Sequence, residues 1–150
     1  MTPLLVIGLG NPLMGDEGIG WHVAERLSAD PRLPAGTVVV CGGTDLLRHA
    51  ARMEACRRVI VIDALLDDAE PGTLRRFDSP DPLDSRQDNA HCLSAVQAIQ
   101  LLRMSVAVPI TLLAISMRAA AARDGLSSEL AARLPAIADR VLAELTNRAQ

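Results

Sequence analysis

Three side chains that lie far apart in the sequence have the chemistry of a cation site. Glu17 lies in a glycine-rich loop, Asp63 follows a solidly apolar run, and His91 follows a long polar segment. One imidazole nitrogen and two carboxylates are a common ligand set for a transition metal. His91 would lie in the first turn of a helix, where the helix dipole disfavours a charged ring and leaves a neutral imidazole ready to bind. The residue types therefore indicate a metal-binding site, provided that the fold brings them together.

The loop that carries Glu17 reads IGLGNPLMGDEGIG, from Ile7 to Gly20. Loops this rich in glycine also bind phosphate groups. A dinucleotide-binding fingerprint, however, needs a third glycine where this chain has Leu13, and no GKS or GKT follows for a nucleoside triphosphate. Two adjacent carboxylates, Asp16 and Glu17, would also repel a phosphate. We therefore expect the loop to present a carboxylate to a cation.

Short apolar runs alternate with helical patterns along the chain. Strands are predicted at 4–8, 37–41, 59–62, 73–77 and 109–115, the fourth of them at a sheet edge. Helices are predicted after the glycine loop, from Thr44 as N-cap to about Glu54, from near Asn89, and over 130–145, where Pro135 must kink or restart the helix. This alternation predicts a three-layer αβα fold with a mostly parallel, twisted five-stranded sheet.

The predicted topology explains how the candidate residues would meet. In open parallel sheets, ligands bind beyond the carboxyl ends of the strands, where the strand order reverses. In a flavodoxin-like order this point lies between the first and third strands, which are about 4.8 Å apart. Glu17 follows the first strand and Asp63 closes the third. We therefore expect Glu17, Asp63 and His91 along one rim of the sheet.

Composition narrows the function further. The 150 residues predict a single domain over 1–150, with 49% hydrophobic and 22% charged residues. A net charge of −3, the absence of lysine and an aromatic content of 1% argue against a nucleic-acid partner. The apolar runs are too short to span a bilayer, no charged leader precedes the first strand, and three widely spaced cysteines form no zinc pattern. We expect a cytoplasmic monomer with no membrane partner.

An ordered set of motifs resembles a known family. The residues are Gly8-Leu9-Gly10-Asn11, Leu13, Asp16-Glu17-Gly18, Gly20, Gly42-Gly43-Thr44, Asp63-Ala64 and His91. Their order and spacing are similar to those of the hydrogenase maturation proteases. These endopeptidases remove a C-terminal extension from the large subunit of nickel-iron hydrogenases after nickel has been inserted. The resemblance implies a hydrogenase large-subunit precursor as the partner and substrate.

The resemblance also implies the role of each metal-contacting residue. The nickel-contacting positions of the family fall on Glu17, Asp63 and His91. They would recognise nickel that the precursor already carries, so binding of nickel to the free protein should be weak.

Two further roles concern the substrate and the proton. Gly42, Gly43 and Thr44 match a segment that contacts the substrate in the family. Asp16 either transfers a proton during metal-assisted hydrolysis or caps the helix that starts near Gly18.

Two alternatives remain open at this point. A nickel-sensing module or chaperone would bind the precursor through the same three ligands without cutting it. The stretch 8–12, GLGNP, also resembles the opening of the peptidyl-tRNA hydrolases. Those enzymes need a histidine-asparagine pair and a basic surface, whereas here His22 is followed by Val23 in an acidic chain.

Overall fold

A computed structural model describes residues 2–78, 93–118 and 122–147. Five strands form one sheet in the order β2-β1-β3-β5-β4. The strands are β1 (Leu4–Leu9), β2 (Thr37–Gly43), β3 (Val59–Leu66), β4 (Leu74–Phe77) and β5 (Ile110–Met117). β1 pairs in parallel with β2 and β3, β3 pairs in parallel with β5, and β4 pairs antiparallel to β5 at the edge. The mostly parallel five-stranded sheet and the edge position of the fourth strand are as predicted.

Helices cover both faces of this sheet. They are α1 (Ile19–Ser28), α2 (Ala50–Glu54), α3 (Leu93–Arg103) and α4 (Ser128–Thr146). Short 3-10 turns at Gly15–Gly18 and Leu46–His49 lead into α1 and α2. One buried cluster joins α1 and α4 to one face, and a second joins α2 and α3 to the other. The predicted three-layer αβα architecture is therefore confirmed.

The central strands are buried on both faces, as their unbroken apolar sequences predict. Val59 and Val61 of β3 pack in the cluster on the α3 side, whereas Ile60 and Ile62 pack in the cluster on the α1 and α4 side. All residues of β1 and β5 are buried. This packing gives the sheet a rigid core beneath its carboxyl ends.

The predicted end of the third strand is wrong. Asp63 does not close β3, because the strand continues to Leu66. The neighbouring β5 pairs with β3 residue by residue, with Asp63 opposite Ala114 and Leu66 opposite Met117. β5 supplies backbone hydrogen-bond partners to β3 beyond its apolar run, so the strand continues through Asp63.

The second predicted helix begins differently from the prediction. β2 extends through Gly43, and Thr44 is not the N-cap. Asp45 takes that role, with its side chain accepting a hydrogen bond from the Leu47 N–H at 3.1 Å. A 3-10 turn over Leu46–His49 then precedes the short α2.

The C-terminal helix is continuous, so Pro135 does not restart it. Proline removes one donor from the helix, which leaves the carbonyl of Ala131 without its usual partner. Both Ala131 and Pro135 are exposed, so water can satisfy that carbonyl. The helix begins instead at a true cap, where the Ser127 hydroxyl accepts a hydrogen bond from the Leu130 N–H.

The third predicted helix is only partly within the described residues. α3 is described from Leu93, and Val96, Ile99 and Leu102 form its buried side as predicted. His91 and the predicted start near Asn89 lie outside the described residues. Within the described part of the chain, no helix combines the length and the apolar character needed to cross a membrane.

Candidate functional site

A cleft of about 430 Å³ opens at the carboxyl ends of the central strands. Its walls come from the ends of β1 and β3, the loop after β1, the turn after β2 and one side of α3. The lining residues include Gly10, Asn11, Glu17, Thr44, Asp45, Leu47, Asp63, Ala64, Ala95 and Ala98. The cleft therefore lies at the predicted reversal of strand order, between β1 and β3.

Asp63 is half-buried at the floor of this cleft. Burial raises the pKa of Asp63 from 3.8 to about 7, and the negative charge of Glu17 acts in the same direction. The Ala64 N–H donates a hydrogen bond to Asp63 Oδ1 at 2.8 Å and favours the ionised form, but its effect is smaller than that of burial. Within the described residues, the cleft thus holds a carboxylate whose ionised form is disfavoured by burial and by a neighbouring negative charge.

Glu17 is held beside Asp63 by a loop that packs on itself. Gly10 has a φ of +131°, which only glycine adopts readily, and this turns the chain off β1. A Cβ atom at Gly10 would lie 2.5 Å from the carbonyl oxygen of Glu17, and one at Gly18 would lie 2.8 Å from that of Asn11. Two of the loop glycines therefore allow the close backbone contacts that place Glu17 in the cleft.

Asp16 does not line the cleft and instead binds a distant part of the chain. Its Oδ1 accepts a hydrogen bond from the Ser127 N–H at 2.7 Å. Two backbone bonds join the same segments, from Gly15 N–H to the Arg123 carbonyl and from Gly125 N–H to the Pro12 carbonyl. Asp16 does not cap the helix that starts after Gly18, since that terminus has no side-chain cap. It fastens the loop to the start of α4.

Loss of the Asp16 carboxylate should loosen this attachment. Asp16→Ala is expected to lower the free energy of unfolding by about 1–2 kcal/mol, because a charge-assisted hydrogen bond to a backbone N–H is lost. Asp16→Asn keeps an acceptor oxygen and should lose less. Thermal unfolding of both variants beside the parent measures the difference. If Asp16→Asn instead unfolds like the parent but no longer supports activity, the proton-transfer role would be favoured.

The predicted substrate-binding residues divide into two groups. Thr44 is exposed and lines the cleft. Gly42 is buried behind it, and its carbonyl accepts a hydrogen bond from His49 Nε2 at 2.9 Å. Gly43 accepts one from the Gly10 N–H at 2.8 Å. Gly43 therefore joins the end of β2 to the glycine loop, Gly42 joins it to the 3-10 turn before α2, and Thr44 is the member of the three that reaches the cleft.

Sequence reasoning missed two polar residues of the cleft. Asp45 lines it while capping the turn after β2, and Asn11 lines it while its side-chain oxygen accepts the Leu13 N–H at 2.9 Å. Aspartate and asparagine favour turns in which their side-chain oxygen accepts the N–H two residues later, and this preference can be recognised in a sequence. It identifies turns rather than sites, so it did not single these residues out.

Of the predicted ligands, the structure brings Glu17 and Asp63 to one cleft, and His91 lies outside the described residues. Among the residues that are described, no three side chains of histidine, cysteine, aspartate or glutamate come together as a metal site. The described part of the cleft thus contributes two carboxylates, and the charge of Glu17 raises the pKa of Asp63.

Comparison with known proteins relates the chain to one family. A sequence profile of the hydrogenase maturation proteases matches residues 21–144. The hydrogenase expression/formation protein HupD of Rhodobacter capsulatus is 39% identical over 71 residues, which are 47% of this chain and 34% of HupD. The hydrogenase 2 maturation protease of Escherichia coli is 27% identical over 147 residues, or 95% of this chain and 90% of that protein.

Likeness in structure extends over nearly the whole chain. The hydrogenase maturating endopeptidase HybD from E. coli superposes with a TM-score of 0.76 at 26% identity, covering 95% of this chain and 91% of that one. The chain covers only 34%, 49% and 38% of the lengths of the first three curated relatives. The profile match spans most of the sequence and includes Asp63. The chain therefore belongs to the hydrogenase maturation protease family.

Proposed function

We propose that this protein is an endopeptidase that removes the C-terminal extension of a nickel-iron hydrogenase large-subunit precursor after nickel insertion. Glu17, Asp63 and His91 recognise the nickel that the precursor carries. One observation carries the proposal: Glu17 and Asp63 share a cleft in which burial and mutual repulsion raise the pKa of Asp63 to about 7. A cation between the two carboxylates relieves that repulsion.

The repulsion between Glu17 and Asp63 gives the protein a way to sense that nickel insertion into the precursor is complete. A precursor without metal offers the carboxylates no compensating charge, so its docking leaves them repelling each other in a drier cleft. A nickel-loaded precursor supplies the charge, and Asp63 binds it in the ionised form. The loaded precursor is therefore preferred, while the free protein, with two carboxylates in the described part of the cleft, holds the metal weakly.

The lining of the cleft favours attack by water on the peptide bond. Thr44 contributes the hydroxyl group that lines the described cleft, and no cysteine or serine does so within the described residues. A cation near the scissile bond polarises its carbonyl or lowers the pKa of a bound water. The residues of this protein hold that cation and orient the precursor segment that is cut.

Cleavage of a purified precursor tests the proposal. We expect the nickel-loaded precursor to shift on a gel and to release one peptide by mass spectrometry, and the nickel-free precursor to stay intact. His91→Ala should reduce the rate roughly 100-fold, because a metal-contacting side chain is lost. His22→Ala is the matched control, since this histidine lies on α1 and does not line the cleft.

Other outcomes would point elsewhere. An uncut loaded precursor, or equal rates for His91→Ala and the parent, would contradict the proposal. A loaded precursor that binds stably without being cut would identify a nickel-sensing module or chaperone. The comparisons place the chain with the hydrogenase maturation proteases rather than with the peptidyl-tRNA hydrolases.

We further infer a cytoplasmic monomer as the working form. Cys41 and Cys56 are free thiols, and unpaired cysteines persist in reducing compartments. Sedimentation of the purified protein measures the oligomeric state.

A further inference from the structure

The two edges of the sheet are built differently. β4 is four residues long, and both of its arginines form ion pairs: Arg75 with Asp67, and Arg76 with Asp78 and Glu144. Short, charged edge strands resist pairing with another chain. The β4 edge is therefore protected against pairing with a strand from another chain.

The β2 edge has none of these protections. Its seven residues, TVVVCGG, include no charge and no proline, and three of them are valine. β2 pairs with β1 on one side, and it stands at the end of the described sheet on the other. Val38 is 39% exposed, and only Gly42 of the strand is buried. An open edge of this length presents backbone N–H and C=O groups to an added strand.

The open edge leads directly into the cleft. β2 ends at Gly43, and the next two residues, Thr44 and Asp45, line the cleft that holds Asp63. At about 3.3 Å per residue, a chain paired along β2 extends for roughly 20 Å before it reaches this point. An extended chain on the edge is therefore guided to the two carboxylates.

We propose that the outer edge of β2 binds the C-terminal segment of the precursor as an added strand, which brings the bond to be cut to the cleft. This inference rests on the proposed function. Main-chain hydrogen bonds supply affinity that does not depend on the side chains of the tail. Val40 packs toward the cluster on the α2 and α3 side, and the alternation of side chains along a strand puts Val38 on the same face. The two valines would therefore contact alternate side chains of the added strand.

A proline scan of the strand tests the proposal through cleavage. Val38, Val39 and Val40 are changed to proline one at a time, each with a threonine variant at the same position as its control. Along an edge strand, successive N–H groups point alternately to the neighbouring strand and outward. Prolines that remove an outward N–H keep the Tm of the parent. They should cut the nickel-loaded precursor roughly tenfold more slowly, while the threonine controls cut at the parental rate.

A proline variant with both the parental Tm and the parental rate would overturn the proposal. Hydrogen exchange gives a second measurement that needs no variant. The parent is mixed with excess nickel-loaded precursor and labelled for less than one turnover, and exchange is followed by mass spectrometry in fragments covering Thr37–Gly43. Protection of this strand on mixing supports the proposal, and unchanged exchange overturns it.

The outcomes separate this inference from the proposed function. Cleavage by the parent with no effect at β2 rejects the added strand alone. Protection of β2 without any cleavage rejects the peptidase activity and keeps the docking. Protection that grows with protein concentration in the absence of precursor identifies a second copy of this chain as the occupant, and overturns the proposal.

Discussion

Replacing Asp63 by asparagine is expected to stabilise the free protein at pH 8. Burial raises the pKa of Asp63 from 3.8 to about 7, so the folded protein at pH 8 carries a carboxylate that its surroundings disfavour. Asparagine has nearly the same shape, keeps an oxygen for the Ala64 N–H, and has no charge. We expect the free energy of unfolding to rise by about 2 kcal/mol and the Tm by about 6 °C, since remaining contact with water reduces the full effect.

The stability gained by Asp63→Asn should increase with pH. Because the folded-state pKa of Asp63 lies above its unfolded value, the folded protein binds more protons between about pH 4 and pH 7. The contribution of Asp63 to stability is therefore fully present below pH 4 and is lost as the pH rises through 7. Asparagine does not titrate. The Tm difference between variant and parent should be largest at pH 8 and close to zero near pH 4.

The same substitution should slow cleavage strongly. Cleavage of nickel-loaded precursor by Asp63→Asn is expected to fall roughly 100-fold, because the charge that we propose to bind the cation is lost. Glu17→Gln is the matched variant: it should also cut poorly, and it should lower the pKa of Asp63 by removing a neighbouring negative charge. A gain in Tm that is the same at pH 4 and pH 8 would contradict the electrostatic cause, and full activity would contradict the proposed role. Opposite effects on stability and activity are typical of functional sites.

The meeting of Glu17 and Asp63 was predictable because topology alone requires it. A short apolar run rich in β-branched residues and bounded by turn residues is typical of a buried strand, and buried strands joined by helices form parallel neighbours. A carboxylate after the first strand and one at the end of the apolar run of the third then face the same rim. No side-chain detail was needed for this step, and the cleft contains both residues.

Other features depend on contacts that the local sequence does not encode. β3 continues past Asp63 because β5 offers partners as far as Met117. Asp16 binds the backbone of Ser127, 111 residues away, so its neighbours in sequence give no sign of this bond. Thr44 and Asp45 are both acceptable N-caps by residue type, and Asp45 takes the role because the 3-10 turn begins at Leu46. The first two differences come from contacts between distant segments.

Glycines also set how closely α1 approaches the sheet. A Cβ atom at Gly20 would overlap the carbonyl oxygens of Leu9 and Ile62, and one at Gly8 would overlap the carbonyl of Gly20 and the side chain of Ala24. The helix therefore rests on the end of β1 and the middle of β3 with backbone against backbone. In the dinucleotide-binding fingerprint, a third glycine allows the helix to pack closely on the strand, and this chain has Leu13 at that position. Gly20 serves the same purpose here.

Gly20→Ala should consequently be among the most destabilising substitutions in the chain. Helix propensity alone predicts a gain of about 1 kcal/mol from alanine within a helix. The overlapping atoms at Gly20 belong to the backbone of two strands and cannot rotate away, so we expect a loss of about 3 kcal/mol or more and a fall in Tm of roughly 10 °C. Gly125→Ala is the control: it has a φ of +85° but open space around it, and should lose only about 1 kcal/mol. Thermal unfolding of both variants decides the matter, because a Gly20→Ala protein as stable as the parent would mean that α1 can shift away from the strands without loss.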